Sequence, residues 1–279
     1  MPITPEIKKD YIIKIAKNGK RLDNRKFDEF RKIKIETGII TKAEGSAKVT
    51  IGNTQVITGI KMDIGDPYPD EPDSGVMTTA AELIPMASPD FESGPPDKES
   101  IELARVVDRG IRESKIINVD KLCIVPGEKV WMVFIDIHIL DYDGNLFDAA
   151  SLAAIAALMT AKIPIERLTP ILKRLEEKYP TIKKYLKENP KDFPLPLSEP
   201  PISCTSAKFD GVVVSDPCLD EELIAEARLT IATDTKGDIR AMQKGLNGSF
   251  SVDEINKVIK SSFDNGKRIR EQLYKSVGK

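Results

Sequence analysis

The sequence predicts an α+β fold of two related β/α halves, with mixed sheets and packed helices. Two observations lead there. Stretches of two-residue alternation and of helical periodicity follow one another as strands, helix, strand, helix, and then strands and a helix again. Between the two series, Asn189-Pro190 closes a charged helical segment and Pro194-Leu195-Pro196-Leu197 follows as a linker. The first unit accordingly covers residues 1–190, including the helical segment 164–190, and the second covers 191–279. A faint internal echo, Gln55-Val56-Ile57-Thr58-Gly59-Ile60 against Ala227-Arg228-Leu229-Thr230-Ile231-Ala232, fits two related halves.

Residues 5–17 open the chain as a helix with Ile7, Tyr11, Ile12 and Ile15 on one face. In residues 30–40, Ile33 and Ile35 alternate with Lys32, Lys34 and Glu36, the period of a half-buried strand. Residues 46–51 and 55–63 continue as strands joined at the Gly52-Asn53 turn, and 78–84 adds another. The acidic, proline-broken stretches 66–73 and 89–97 are too polar for core and are expected as surface loops. A helix over 99–115 leads to a central strand over 129–140 and an alanine-rich helix over 149–161. In the second unit, 212–215, 227–233 and 237–243 are expected as strands and 252–274 as a long closing helix.

A chain of 279 residues can bury one large core or two medium ones. With 41% apolar and 31% charged residues, it has the make-up of an ordinary soluble globular protein. Its net charge of −2 provides no global basic field, so any nucleic-acid contact has to be local or supplied by a partner. The opening Met1-Pro2-Ile3-Thr4-Pro5 is not expected to be a signal peptide. The longest apolar run, residues 149–163, is interrupted by Ser151, Thr160 and Lys162 and is too short to span a bilayer, so no membrane association is expected. Cys123, Cys204 and Cys218 are odd in number and widely spaced, which fits reduced thiols in a cytoplasmic protein and neither a disulfide frame nor a zinc site. The single histidine, His138, nearly excludes histidine-based metal or triad chemistry. No cofactor and no metal are expected.

At Asp143-Gly144-Asn145-Leu146-Phe147-Asp148 the central strand turns into the alanine-rich helix. Free N–H groups and the helix dipole make such an end a good anion site. Sites of this kind usually add Arg, Lys, Ser or Thr, whereas this one offers Leu146, Phe147 and Asp148. A carboxylate about 6 Å from a phosphate costs on the order of 3 kcal/mol per charge pair at an effective dielectric of about 20. As a first-turn acid, Asp148 stabilises its own helix by roughly 0.3–1 kcal/mol. We favour that role, which also leaves phosphate repelled.

Three stretches of the chain resemble the RNase PH family. The first is Arg21-Leu22-Asp23-Asn24-Arg25-Lys26-Phe27-Asp28-Glu29-Phe30-Arg31, similar to the family's opening motif R-x-D-x-R-x-x-D-E-x-R, which leads into Glu44-Gly45-Ser46-Ala47-Lys48-Val49 and Gly52-Asn53-Thr54-Gln55-Val56. The second is Asp143-Gly144 at the strand–helix turn, and the third is Asp216-Pro217-Cys218-Leu219-Asp220-Glu221-Glu222. Within the family the chain most resembles the inactive ring subunits of the archaeal exosome. Phosphorolytic members carry Asp-Gly-Gly-(Thr/Ser)-Arg at the turn. Here Gly144 is kept, Asn145 replaces the second glycine, Leu146 the hydroxyl residue and Phe147 the arginine. The family's carboxylate pattern maps to Asp216, Glu221 and Glu222, the last longer by a methylene than the usual Asp.

The resemblance implies an RNase PH-like fold and a place in a hexameric ring, a trimer of heterodimers in which catalytic RNase PH-like exosome subunits alternate with inactive ones. It also implies RNA-binding cap proteins and single-stranded RNA as ligand. The implied role is non-catalytic: completing the partner's active site and guiding RNA to it. Two other readings stay open. One is a self-sufficient phosphate-dependent 3′-to-5′ exoribonuclease using Asp216 and Glu222 with Mg²⁺, with an anion site borrowed from Arg105 or Arg109. The other is a scaffold that never touches RNA.

Each candidate also has a plainer explanation. Asp216, Glu221 and Glu222 could serve as metal or acid–base groups. Alternatively, Asp216-Pro217 ends a strand while Glu221 and Glu222 decorate the next helix as solvated charges, and without a phosphate grip this alternative leads. Arg105, Arg109 and Arg112 fall at i, i+4 and i+7 on one helical face. They either grip nucleic-acid phosphates or pair with Glu102, Asp108 and Glu113; the resemblance tips Arg109 and Arg112 towards RNA. His138 shares a strand face with Phe134 and Asp136, where packing or an interface would satisfy it. Lys257, Lys260, Lys267, Arg268 and Arg270, interleaved with Asp264 and Glu271, read as a solvated face. The acidic loop 66–73 would repel RNA or dock a basic partner.

Overall fold

The computed structural model describes the chain from residue 4 to residue 278, with side chains from Lys8 onward. The first series of elements is α1 (Thr4–Lys17), β1 (Ile33–Thr37), β2 (Gly45–Ile51), β3 (Thr54–Gly65), β4 (Val76–Leu83), α2 (Lys98–Ser114), β5 (Cys123–Val125), β6 (Lys129–Asp141), α3 (Leu146–Thr160), β7 (Lys162–Ile163), α4 (Ile165–Glu176) and α5 (Thr181–Glu188). The second comprises β8 (Phe193–Pro194), β9 (Ile202–Phe209), β10 (Val212–Ser215), α6 (Leu219–Leu223), β11 (Ala227–Thr233), β12 (Ile239–Gly245) and α7 (Val252–Ser276).

Alternation along β6 sorts its side chains between two environments. Trp131, Val133, Ile135, Ile137 and Ile139 are buried, while Met132, Phe134, Asp136 and His138 between them are half-buried. The strand is the hub of a mixed sheet ordered β1-β2-β3-β6-β4, antiparallel to β3, parallel to β4 and paired at its start with β5. The second sheet is antiparallel in the order β10-β9-β11-β12. Both sheets pack on α3, which meets β2 and β3 on one side and β9 on the other, with α2 beside it against β4 and β12. Every residue from Phe147 to Leu158 is buried, as expected of a helix that is apolar all round. Its alanines let backbones approach closely: a Cβ at Gly45 would strike the carbonyl of Ala157. The helix α7 covers the far face of the second sheet, against β9 and β11.

The α+β class and the packed helices agree with expectation, and the first sheet is mixed as expected, whereas the second is antiparallel throughout. Several local details differ. The strand β9, interior to the second sheet, carries no apolar alternation: Ser203, Cys204, Thr205 and Ser206 are all buried. Hydrogen bonds make this burial tolerable. Ser203 meets Ser151, Thr205 meets Asp148 and Thr230, and Ser206 meets Ser215. The segment 164–190 divides into two helices at Pro180, and both pack on the first sheet's core through Leu168, Leu172 and Ile182. The proline-rich 194–197 stretch is seated on the first half: β8 pairs with β7, and Leu197 bridges to Ile117. Along α1 Ile12 is buried as expected, but its buried companion is Ala16 rather than Ile15, and Tyr11 is exposed. The Ile7 side chain lies outside the described residues. Ile12 and Ala16 pack with Ala207, Phe209 and Val214, so the first helix lies against the second half.

Candidate functional site

The turn between β6 and α3 is held by two left-handed residues, Gly144 at φ +85° and Asn145 at φ +56°. Asparagine is among the few residues other than glycine that adopt this conformation readily, which accounts for Asn145. Gly144 has a steric reason as well. A Cβ there would lie 2.5 Å from the carbonyl carbon of Cys218, because the turn packs backbone to backbone on residues 217–219. Asn145 caps α3 by accepting from the Asp148 N–H, and its amide donates to Asp148 Oδ2 at 2.9 Å and to Asp216 Oδ1 at 2.7 Å.

Asp148 points into the protein, across the join between halves. Oδ2 accepts from the Thr205 N–H at 2.8 Å, and Oδ1 bonds the Thr205 hydroxyl at 2.7 Å. Burial pushes its carboxyl up to about 7 against the pull of Asn145 and Thr205, with the charge of Asp216 adding to the rise. Asp148 thus fastens α3 to β9.

The arginines of the opening motif converge on the third motif. Arg21 grips Glu221 in a bidentate pair, Nε to Oε1 at 2.9 Å and Nη2 to Oε2 at 2.6 Å, with both side chains almost fully buried. It also donates to the carbonyls of Ser215 and Asp216. Arg25 and Arg31 close on Asp216: Arg25 Nη1 reaches Oδ2 at 2.9 Å, and Arg31 Nη2 reaches Oδ1 at 2.8 Å. Arg31 also donates to the carbonyls of Asp143 and Gly144, tying all three motifs together. Burial alone would push the Asp216 carboxyl up, but Arg31, Asn145 and Arg25 outweigh it and hold the group below the usual range. Asp216 and Glu221 are therefore paired interior charges, neither solvated nor open to a substrate. Among the described residues, no group of three or more His, Cys, Asp or Glu side chains is placed to hold a metal ion. Cys218, beside this turn, is no ready nucleophile, because burial and Glu221 push its thiol up to about 12.

Glu222 leaves this cluster and enters the turn. Its Oε2 accepts the Asn145 N–H at 2.9 Å and the Tyr142 hydroxyl at 3.3 Å. Its Oε1 lies 3.8 Å from Arg228 Nη1. The Arg228 guanidinium sits 4.0 Å over the centre of the Phe147 ring and also binds Glu102. Phe147 is buried beneath it and Leu146 is half-buried. Burial pushes the Glu222 carboxyl upward, while the Asn145 N–H and Arg228 pull it back. Arg228, Tyr142 and Thr205 are participants that sequence reasoning missed. An arginine inside an otherwise apolar strand, at position 228, was the available signal.

The three arginines of α2 are all exposed and line an open groove of 580 Å³ with Lys98, Thr79 and Gln243. Their partners differ. Arg112 pairs with Asp108 and donates to the Met77 carbonyl. Arg109 reaches only Gln243, at 3.4 Å, and among the described residues neither it nor Arg105 has a carboxylate within 4.0 Å. Glu102, the expected partner, is taken by Arg228. Elsewhere, His138 meets Glu82 on the adjacent strand at 3.3 Å. Arg270 is buried rather than solvated and donates to the carbonyls of Pro200 and Thr233. In the acidic loop, Asp66 is paired with Lys129.

The chain is similar to known proteins in sequence and fold. The model of the 3′ exoribonuclease family, domain 1, matches residues 29–164, and that of domain 2 matches residues 199–265. The exosome complex component Rrp42 of Methanocella arvoryzae is 51% identical over 271 residues, covering 97% of each chain. Its counterpart in Pyrococcus abyssi is 48% identical over 277 residues, 99% of this chain and 97% of that one. Among solved structures, a chain of the Archaeoglobus fulgidus exosome with RNA bound to the active site superposes with a TM-score of 0.88 at 45% identity, covering 98% of this chain and 100% of that one. A chain of an archaeal exosome core gives 0.84 at 42% identity, covering 97% and 98%.

Proposed function

The chain belongs to the 3′ exoribonuclease family, and from that premise we propose that it is a non-catalytic subunit of an exosome ring. It pairs with a catalytic RNase PH-like subunit in a trimer of heterodimers, supports that subunit's active site across their interface, and helps deliver single-stranded RNA to it. The observation that carries this reading is the turn between β6 and α3. Phosphorolysis needs inorganic phosphate gripped in line with the scissile bond. Here the arginine position is Phe147, the Asn145 N–H is taken by Glu222, and Asp216 is neutralised by Arg25 and Arg31. RNA handling is supported by Arg105 and Arg109, two exposed cations without carboxylate partners on one groove wall. The archaeal proteins it matches are named as exosome components, which supports the ring assignment. No helix among the described residues is long and apolar enough to cross a membrane.

The test is phosphate-dependent shortening of a 5′-labelled single-stranded RNA. The isolated chain is expected to leave the RNA intact, and mixing with a homologous partner that retains the Gly-Gly-(Thr/Ser)-Arg turn is expected to give rapid shortening. Equal rates with and without the partner would instead support the self-sufficient exoribonuclease.

A further inference from the structure

The Glu222 carboxylate is surrounded as a bound oxyanion would be. It accepts the N–H of Asn145 at the head of α3 and the hydroxyl of Tyr142, and faces the Arg228 guanidinium at 3.8 Å. The helix head supplies favourable potential for a negative charge, and the guanidinium supplies a second cationic wall. Tyr142 and Asn145 lie in the turn between β6 and α3 and Arg228 in β11, while the carboxylate comes from α6, next to the Glu221 that Arg21 clamps. The Glu222 side chain is long enough to bring Oε2 to 2.9 Å from the Asn145 nitrogen. The resemblance implies an aspartate, one methylene shorter, at this position of the catalytic pattern. Arg228 sets its guanidinium over Phe147, the position at which the resemblance places the arginine of phosphorolytic members.

We propose that Glu222 is a tethered substitute for inorganic phosphate: it fills an anion seat made by Asn145, Tyr142 and Arg228, and removing its side chain opens that seat to phosphate. The site is then closed by its own chain as well as weakened by the replacement at Phe147. The Glu222 side chain thereby occupies the head of α3 itself. This deepens the non-catalytic reading and rests on the assignment of the turn as the phosphate seat of catalytic relatives.

The experiment compares the full native chain with Glu222→Ala and Glu222→Ser in chloride and in inorganic phosphate at matched ionic strength. It is read by thermal unfolding and by ³¹P line broadening. The native chain sets the general salting-out effect of phosphate. Both variants are expected to melt lower in chloride and to gain on the order of 4 °C more from phosphate than the native chain does. They should broaden the phosphate line, and Arg228→Met in the Glu222→Ala background should abolish both effects. A variant too unstable to fold in chloride is read by refolding into phosphate, where recovery supports the proposal and failure overturns it. Variants that respond to phosphate no more than the native chain overturn it too. Neither RNA nor the partner subunit enters this measurement, so it can fail while the mixed-subunit assay succeeds, and the reverse.

Discussion

Replacing Asp148 by asparagine removes one buried ionisable carboxyl and leaves its hydrogen bonds intact. The amide oxygen can accept from the Thr205 N–H and the Asn145 amide as Oδ2 does now, and the amide nitrogen can donate to the Thr205 hydroxyl, which passes its own proton to Thr230. What changes is the titration. The folded carboxyl sits at about 7 against an ordinary value of 3.8, so the folded chain holds a proton that the unfolded chain releases. More protons are bound in the folded state through that window, so stability falls as pH rises from about 4 to about 7 and is level above it. Three units correspond to roughly 4 kcal/mol at most. The asparagine chain has no such loss. Its advantage over the native chain is expected to grow by roughly 2–3 kcal/mol between about pH 5 and pH 8. Urea denaturation at several pH values measures it. A gap that stays flat across this range, or an asparagine chain less stable at the alkaline end, would refute the idea that Asp148 is an ionisable group held in a neutralising pocket.

Three further outcomes follow from the same geometry. Arg21→Met leaves the Glu221 charge buried without its partner and should cost about 3–5 kcal/mol, whereas the double change Arg21→Met with Glu221→Met should recover much of that in a denaturation cycle. Gly144→Ala meets both a left-handed backbone and the backbone of Cys218, and a loss of about 2–4 kcal/mol is expected; a melting point within a degree of native would contradict the close packing described. In the assembled ring, Arg109→Ala should weaken RNA binding regardless of sequence and lower the salt slope by roughly 0.7, the share of one phosphate contact to a single strand. An unchanged slope would move RNA off the α2 groove.

Legibility from sequence followed the physics of each element. The strands of the first sheet could be seen because one face is dry and the other is half-exposed, so Val133, Ile135 and Ile137 alternate with Phe134, Asp136 and His138. β9 could not, because helices cover it on both faces and its Ser203, Thr205 and Ser206 are satisfied by partners far away in sequence. The motif arginines stood out as a pattern, yet nothing local reveals that Arg21, Arg25 and Arg31 close on residues 215–221. The altered turn was readable residue by residue. Its occupant was not, since a solvated helix surface and a buried anion seat ask for the same glutamate at position 222. The arginine stripe of α2 was visible from spacing alone, but the division between the paired Arg112 and the unpaired Arg105 and Arg109 depends on which carboxylates the fold diverts elsewhere.

The clamp between Arg21 and Glu221 joins residues 200 positions apart. During synthesis at about 5–20 residues per second, the arginine waits some 10–40 s, roughly, for its carboxylate. Through that interval the first sheet can assemble around β6 while Arg21, Arg25 and Arg31 remain solvated cations on a growing chain. The turn after β10 and the helix α6 then bring the counter-charges, Asp216 and Glu221. The opening motif is thus neutralised only once α6 has been made, so the join between the halves cannot form in a chain that stops short of it.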